Sequence, residues 1–116
     1  MNPRTDVDRL ADMRAALTDI RLLTRGDIEA FDANRVTQQA VAYNLAVLGE
    51  AARALSPELR DRYPNVPWRA LIGQRNIVVH EYHSLDVENL WKIATKDTPR
   101  LDEQLSDIEA AERGRS

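Results

Sequence analysis

The segment from Arg75 to Tyr82, RNIVVHEY, contains the residue types best suited to chemistry in this chain. A histidine with a pKa near neutrality can take a proton from a ribose 2′-hydroxyl or give one to a leaving oxygen. An arginine can neutralise the negative charge that develops on a phosphate during its reaction. Arg75 and His80 together therefore suit RNA cleavage without a metal ion, and Asn76 and Tyr82 add polar groups to the same segment.

The spacing of these residues predicts how a helix would present them. At about 100° per residue, Arg75 and Tyr82 lie on one stripe that is otherwise apolar, and Asn76 and His80 lie four apart on a second ridge. Arg75 and His80 are about 140° apart, so they do not share a face of one helix. They would converge more naturally in a groove formed with a second copy of the chain, so the spacing favours a homodimer. The stripe comprises Trp68, Leu71, Ile72, Arg75, Val78, Val79 and Tyr82.

Other interpretations of the same residues remain open. An arginine in an apolar stripe can be structural if it pairs with a carboxylate such as Glu50. The two histidines and two nearby acids form a potential metal site, but their spacing matches no strong ligand pattern, and we predict neither a metal ion nor a cofactor. The roles of Glu50, Glu81 and His83 are not fixed by the sequence. The residues of the potential metal site are His80, Glu81, His83 and Asp86.

Composition limits the class of protein. The chain has 116 residues, of which 43% are hydrophobic and 30% charged, which suits one domain with a single core. Aromatic residues make up only 5%, which favours helices over strands. The chain has no cysteine, which excludes a disulfide scaffold and fits a reducing cytoplasm. It shows no membrane span and no signal peptide. The net charge of −3 argues against a general nucleic-acid binder, although residues 50–80 are locally basic.

Apolar periodicity predicts an all-α, up-and-down bundle of four main helices in a single domain that spans residues 1–116. We expect the connector GDIEAFDANR to hold one helical turn, SPELRDRY to form a short turn, and the acidic last helix to present a solvated face. Residues 111–116 are predicted to form a frayed tail. The main helices are predicted over about Val7–Leu23, Val36–Leu55, Pro67–His83, and onward from an N-cap at Asp86, with a kink or a new start at Pro99.

A combination of motifs resembles one known family. GEA at 49–51 is followed by SPELRDRYP, by PW, by RNIVVHEY and by the LW of Leu90 and Trp91. In this combination, from Leu48 to Leu101, the chain resembles the HEPN domain toxins of the HepT type. The arginine, histidine and tyrosine of the family's pattern correspond here to Arg75, His80 and Tyr82.

The resemblance implies a HEPN-like helical domain that dimerises so that both copies of the motif line one cleft. It implies a metal-independent endoribonuclease that cleaves tRNA or mRNA and is toxic to its own cell, as in type VII toxin–antitoxin pairs. Arg75 and His80 would be the catalytic pair, and Asn76 would orient the site. The MntA-type nucleotidyltransferase antitoxin would neutralise the toxin by AMPylation of Tyr82 with ATP. The alternative is a non-catalytic helical subunit that binds a nucleotidyltransferase.

Overall fold

The computed structural model describes residues 4–80 and 86–115, with only the backbone described for Val79 and His80. These residues form helices joined by short connections and contain no strand, which confirms the predicted all-α class. The predicted connector turn and the predicted turn after Ser56 both appear as short helices. The helices are α1 (Asp6–Leu23), α2 (Ile28–Asp32), α3 (Arg35–Ala54), α4 (Pro57–Arg62), α5 (Trp68–His80), α6 (Val87–Lys92) and α7 (Thr98–Arg113), with a π-helical segment at Ile93–Asp97 between the last two.

The core forms around α3, which packs against α1 on one side and α5 on the other, while α7 packs against α1. No charged residue occurs between Val36 and Gly49, so α3 can bury much of its surface. Its buried residues recur at helical spacing, as the sequence predicted, and its bounds lie within one residue of the predicted ones. They are Val41, Ala42, Leu45, Leu48, Gly49, Ala51 and Ala52.

Short polar side chains set the starts of the helices. Thr5 and Asp8 form a reciprocal capping box at the start of α1. Ser56 accepts a hydrogen bond from the backbone N–H of Leu59 and so caps α4. The Asp6 carboxylate accepts hydrogen bonds from the backbone N–H and the hydroxyl of Ser56, at 2.9 and 2.6 Å. These contacts fasten the start of α1 to the start of α4.

The apolar stripe predicted for α5 is confirmed as far as its side chains are described. Trp68, Leu71 and Val78 are buried, and Arg75 lies among them with a half-buried side chain. The prediction continued this helix to His83. Residues 81–85, including Tyr82, lie outside the described residues, so the described part of α5 ends at His80.

The last predicted helix is present in three parts. Asp86 caps α6 as predicted, because its carboxylate accepts the backbone N–H of Glu88 at 3.0 Å. Pro99 lies in the first turn of α7, which begins at Thr98, in agreement with the predicted kink or new start at Pro99. The π-helical segment connects the two helices without a loop. The helix continues through Arg113 and Glu112 is buried, so the predicted fraying of the tail is wrong for residues 111–113.

Among the residues that the model describes, no helix is both long and apolar enough to cross a membrane.

Candidate active site

Arg75 lies in the interface between α5 and α3. Its side chain is 27% exposed, and its Nε lies 3.2 Å from Oε2 of Glu50, whose side chain is 57% exposed. This pair is the one that the sequence offered as a structural explanation for an arginine in an apolar stripe. Because the carboxylate faces solvent, the pair anchors the guanidinium without burying it completely.

Gly49 permits this close approach of the two helices. A Cβ atom on Gly49 would lie 2.2 Å from the Cβ of Arg75 and 2.7 Å from the backbone oxygen of Leu71. Both distances are well inside van der Waals contact, so any larger residue would push α5 away from α3. The GEA segment therefore serves close helix packing, and the packing places Glu50 beside Arg75.

Asn76 holds the other side of the guanidinium. Nη1 of Arg75 donates a hydrogen bond of 3.0 Å to Oδ1 of Asn76, which is itself exposed. An arginine side chain has five N–H donors, of which the contacts to Glu50 and Asn76 use only part. Within the described residues, Nη2 donates no hydrogen bond. The guanidinium is therefore oriented by protein and still able to bind an anion.

His80 is the last described residue of α5, five positions after Arg75. The structure does not describe the position of its side chain, and Glu81, Tyr82 and His83 lie outside the described residues. The structure therefore brings together Arg75, Asn76 and Glu50. The convergence of Arg75 with His80 and its alignment with Tyr82 stay predictions.

The alternative metal site falls mostly on the same undescribed residues. Of its four members, only Asp86 is fully described, and there it serves as the N-cap of α6. In residues 4–80 and 86–115, no three histidine, aspartate or glutamate side chains are grouped so that they could hold a metal ion.

A second charged cluster, which the sequence did not predict, joins α4 to α7. Glu112 accepts hydrogen bonds from the Tyr63 hydroxyl at 2.6 Å and from Nη2 of Arg62 at 2.7 Å, and Arg115 lies 3.5 Å away. The hydrogen bond from Tyr63, followed by that from Arg62, holds the pKa of Glu112 below its ordinary value. The same bond to Glu112 raises the pKa of Tyr63. The acidic α7 is therefore not simply a solvated face, because Glu112 is buried in this cluster.

No local signal in the sequence marks this second cluster. Arg62 and Tyr63 lie about fifty residues before Glu112. Arginine and glutamate are also common on exposed helix surfaces. Only the packing of α4 against α7 reveals that they meet.

Comparisons with known proteins point to one family. The family model described as "Ribonuclease HepT-like" matches residues 13–108. A protein of Methanocaldococcus jannaschii named "Putative RNase MJ1380" is 34% identical over 97 residues, which cover 83% of this chain and 89% of that protein. A protein of Thermococcus cleftensis named "Probable ribonuclease HepT" is 33% identical over 99 residues, 84% of this chain and 90% of its own length. No solved structure gave a significant match.

Proposed function

Because this chain belongs to the HepT-like ribonuclease family, we propose that it is a metal-independent endoribonuclease and the toxin of a toxin–antitoxin pair. Its substrate is tRNA or mRNA in the cytoplasm. The observation that carries the proposal is the geometry of Arg75. Glu50 and Asn76 fix its guanidinium, its Nη2 has no partner among the described residues, and His80 follows just over one turn later on the same helix.

The proposed reaction uses only groups of the protein and the RNA. The ribose 2′-oxygen attacks the adjacent phosphorus, and one His80 side chain takes the proton of the 2′-hydroxyl. The bond from phosphorus to the 5′-oxygen breaks, and a second histidine gives that oxygen a proton. The products are a 2′,3′-cyclic phosphate and a 5′-hydroxyl. Arg75 stabilises the charge on the phosphate oxygens as the new bond forms.

A homodimer supplies the second histidine. Val36 and Tyr43 are large apolar side chains of α3 that are 73% and 70% exposed. They are seven residues apart, and Glu50 follows after seven more, so all three lie along one face of the helix. This face leads directly to the pair formed by Glu50 and Arg75. We assign it as the dimer face, because burying it against a second copy would bring two Arg75 side chains into one cleft.

A nucleotidyltransferase of the MntA type is the proposed antitoxin. It would transfer AMP from ATP to Tyr82, forming a bond between the tyrosine oxygen and the α-phosphorus and releasing pyrophosphate. The added nucleotide brings bulk and a negative charge to a position two residues after His80. That charge would repel an RNA phosphate from the site. The support for this step is the resemblance of the Arg75–Tyr82 segment to the HepT pattern.

The test of the ribonuclease proposal is cleavage of total tRNA and of mRNA by purified dimer in the presence of a metal chelator. Intact mass must first show that Tyr82 carries no AMP. We expect the wild type to cleave and His80→Ala to be folded and inactive. If the folded, unmodified dimer does not cleave RNA, the ribonuclease proposal is wrong, and the chain is better explained as the non-catalytic subunit of a nucleotidyltransferase complex.

A further inference from the structure

A groove runs along the flank of α5 that faces α6 and α7. It consists of two adjoining cavities of about 470 and 330 Å³. A cavity of several hundred Å³ is large enough for a nucleotide-sized ligand. The two cavities have four lining residues in common, which makes the groove continuous. The shared residues are Leu45, Ala70, Gln74 and Ile93.

The lining of the groove combines an apolar floor with a polar rim. Leu45, Leu48 and Leu71 form part of the floor. Side-chain amides lie along the rim and can exchange hydrogen bonds with the edges of nucleotide bases, while the floor can pack against base faces. These amides belong to Asn65, Gln74, Asn89 and Gln104.

Two cations line the larger cavity. Lys96 lies in the π-helical segment and Arg100 in the first turn of α7. Neither forms an ion pair within the described part of the chain. Asp97 also lines the cavity, so the local balance is two positive charges against one negative. In a chain with a net charge of −3, this end of the groove is a local site of attraction for phosphate.

The π-helical segment helps to form this groove. Ile93, Lys96 and Asp97 all belong to it and all line the larger cavity. A π-helical stretch is wider than an α-helix and interrupts its regular side-chain spacing, and such stretches are frequent at functional sites.

The groove leads toward the candidate active site. Its smaller cavity is lined by Ile77, which is half exposed, and by Val78. Val78 precedes His80 by two residues, so the smaller cavity reaches the last described turn of α5, although the two residues face different sides of the helix. Gln74 and Arg75 are consecutive on α5, so the groove and Arg75 occupy adjacent sides of the same helix. A strand of RNA whose scissile phosphate lies at the end of α5 can therefore continue into the groove.

We propose that the groove along α5, α6 and α7 is a binding subsite for single-stranded RNA beside the scissile phosphate. Bases pack on the leucine floor and meet the amide rim, and Lys96 and Arg100 bind backbone phosphates. The inference extends the proposed ribonuclease function, on which it rests for the position of the cleaved bond. The groove does not compete with the proposed dimer face. Tyr43 and Leu45 are about 200° apart on α3, so the two surfaces lie on opposite sides of that helix.

The test measures binding separately from cleavage. The ligand is a single-stranded RNA oligonucleotide with 2′-O-methyl groups, which cannot react through its 2′-oxygens. We expect the double variant Lys96→Gln and Arg100→Gln to bind it about tenfold more weakly, and the slope of log Kd against log salt concentration to fall by about 1.4 for two lost phosphate contacts. Ala70→Trp should also weaken binding, because Ala70 is exposed and lines both cavities.

Lys92→Gln is the matched control. Lys92 is exposed, lies one turn before Lys96 and does not line the groove, so its loss should leave binding unchanged. Cleavage of unmodified RNA by the groove variants should show a raised KM and an unchanged kcat, because the groove contacts RNA away from the reacting bond. Circular dichroism and the mass of the dimer establish that the variants retain the wild-type structure.

Each other outcome identifies which inference is wrong. If the groove variants bind and cleave like the wild type, the groove inference is overturned and the ribonuclease proposal stands. If wild-type protein binds RNA through the groove but does not cleave it, the ribonuclease proposal is overturned and the groove inference stands. If the groove variants change the oligomeric mass, the groove is a protein interface. If wild-type protein neither binds nor cleaves, both inferences are overturned.

Discussion

Two of the arginine–glutamate clusters among the described residues differ in how deeply the carboxylate is buried. In the Glu112 cluster, the Glu112 side chain is 6% exposed and accepts hydrogen bonds from Arg62 and Tyr63. In the Arg75 cluster, Glu50 is 57% exposed and lies beside Arg75, whose side chain is 27% exposed. Both clusters join distant parts of the chain, but only the Glu112 carboxylate is buried.

The difference separates a structural cluster from a candidate site. The Glu112 carboxylate is occupied from both of its oxygens, so its interactions hold α4 to α7 and leave it little capacity for a ligand. Arg75 is oriented by two neighbours, and within the described part of the chain its Nη2 remains available to an anion. Residue type alone does not distinguish the two clusters; the burial of the carboxylate does.

The largest expected effect comes from removing the arginine charge in each cluster. We expect Arg75→Gln to lower kcat for RNA cleavage by about 100- to 1000-fold, as is typical when a group that stabilises transition-state charge is lost. Its urea unfolding midpoint should stay close to that of the wild type. Arg62→Gln should show the reverse, with a lower unfolding midpoint and an unchanged kcat for the folded fraction.

This pair of variants can break the comparison. If Arg75→Gln unfolds the protein and the folded fraction still cleaves RNA, Arg75 is the structural residue. If Arg62→Gln lowers kcat while the protein remains folded, the Glu112 cluster takes part in function.

The sequence predicted the helical framework well because burial imposes a regular period. The charge-free run in α3 and the apolar stripe in α5 place those helices and their buried faces. The same run of α3 contains Val36 and Tyr43, which are exposed in the isolated chain. Periodicity alone does not distinguish an apolar face buried in the core from an apolar face exposed at the surface.

Contacts between distant residues were harder to predict. Glu50 was named as a possible partner of Arg75, because GEA and the arginine both stood out in the sequence. The Glu112 cluster and the π-helical segment were missed. The first depends on contacts between residues about fifty positions apart, and the second lies directly before the new helix start that was predicted at Pro99. Neither a contact over such a separation nor a change in helix type has a local sequence pattern here.

The Glu112 cluster should also make stability depend on pH. Because the pKa of Glu112 is lowered by folding, its charged form stabilises the protein at neutral pH. That contribution is lost as the pH falls from the ordinary pKa of a glutamic acid through the lowered one. We expect Glu112→Gln to reduce the free energy of unfolding by about 1.5–3 kcal/mol at pH 7, since it weakens buried hydrogen bonds to a charged group.

Urea unfolding at several pH values checks this prediction. The difference between wild type and Glu112→Gln should shrink in acid, and the exposed Glu103 on the same helix offers a control in Glu103→Gln. A difference that is constant with pH would show that the charge of Glu112 does not stabilise the fold.

A smaller effect is expected at the contact that positions Arg75. Gly49→Ala should destabilise the protein by about 1–3 kcal/mol, because the new methyl group would overlap Arg75 and the backbone of Leu71. The matched control is Gly73→Ala on α5. A Cβ there meets no atom of the described residues within 4 Å, so the change should stabilise the helix by about 0.5–1 kcal/mol.

The glycine pair links packing to the site. Gly49→Ala should reduce cleavage even where the protein is folded, since separation of α3 from α5 moves Arg75. Equal stability of the two alanine variants in urea would mean that α3 and α5 do not require a glycine at position 49.

The smallest stability effect is expected for Glu50→Gln. The ion pair is largely exposed on the carboxylate side, and such pairs contribute about 0–1 kcal/mol to stability. The kcat for RNA cleavage should nevertheless fall, by up to about tenfold, because Arg75 loses a neighbour that fixes its orientation for the phosphate. Kinetics and urea unfolding of the same preparation separate the two effects, with the exposed Glu58 providing the control Glu58→Gln. Faster cleavage by Glu50→Gln would instead show that Glu50 competes with RNA phosphate for Arg75.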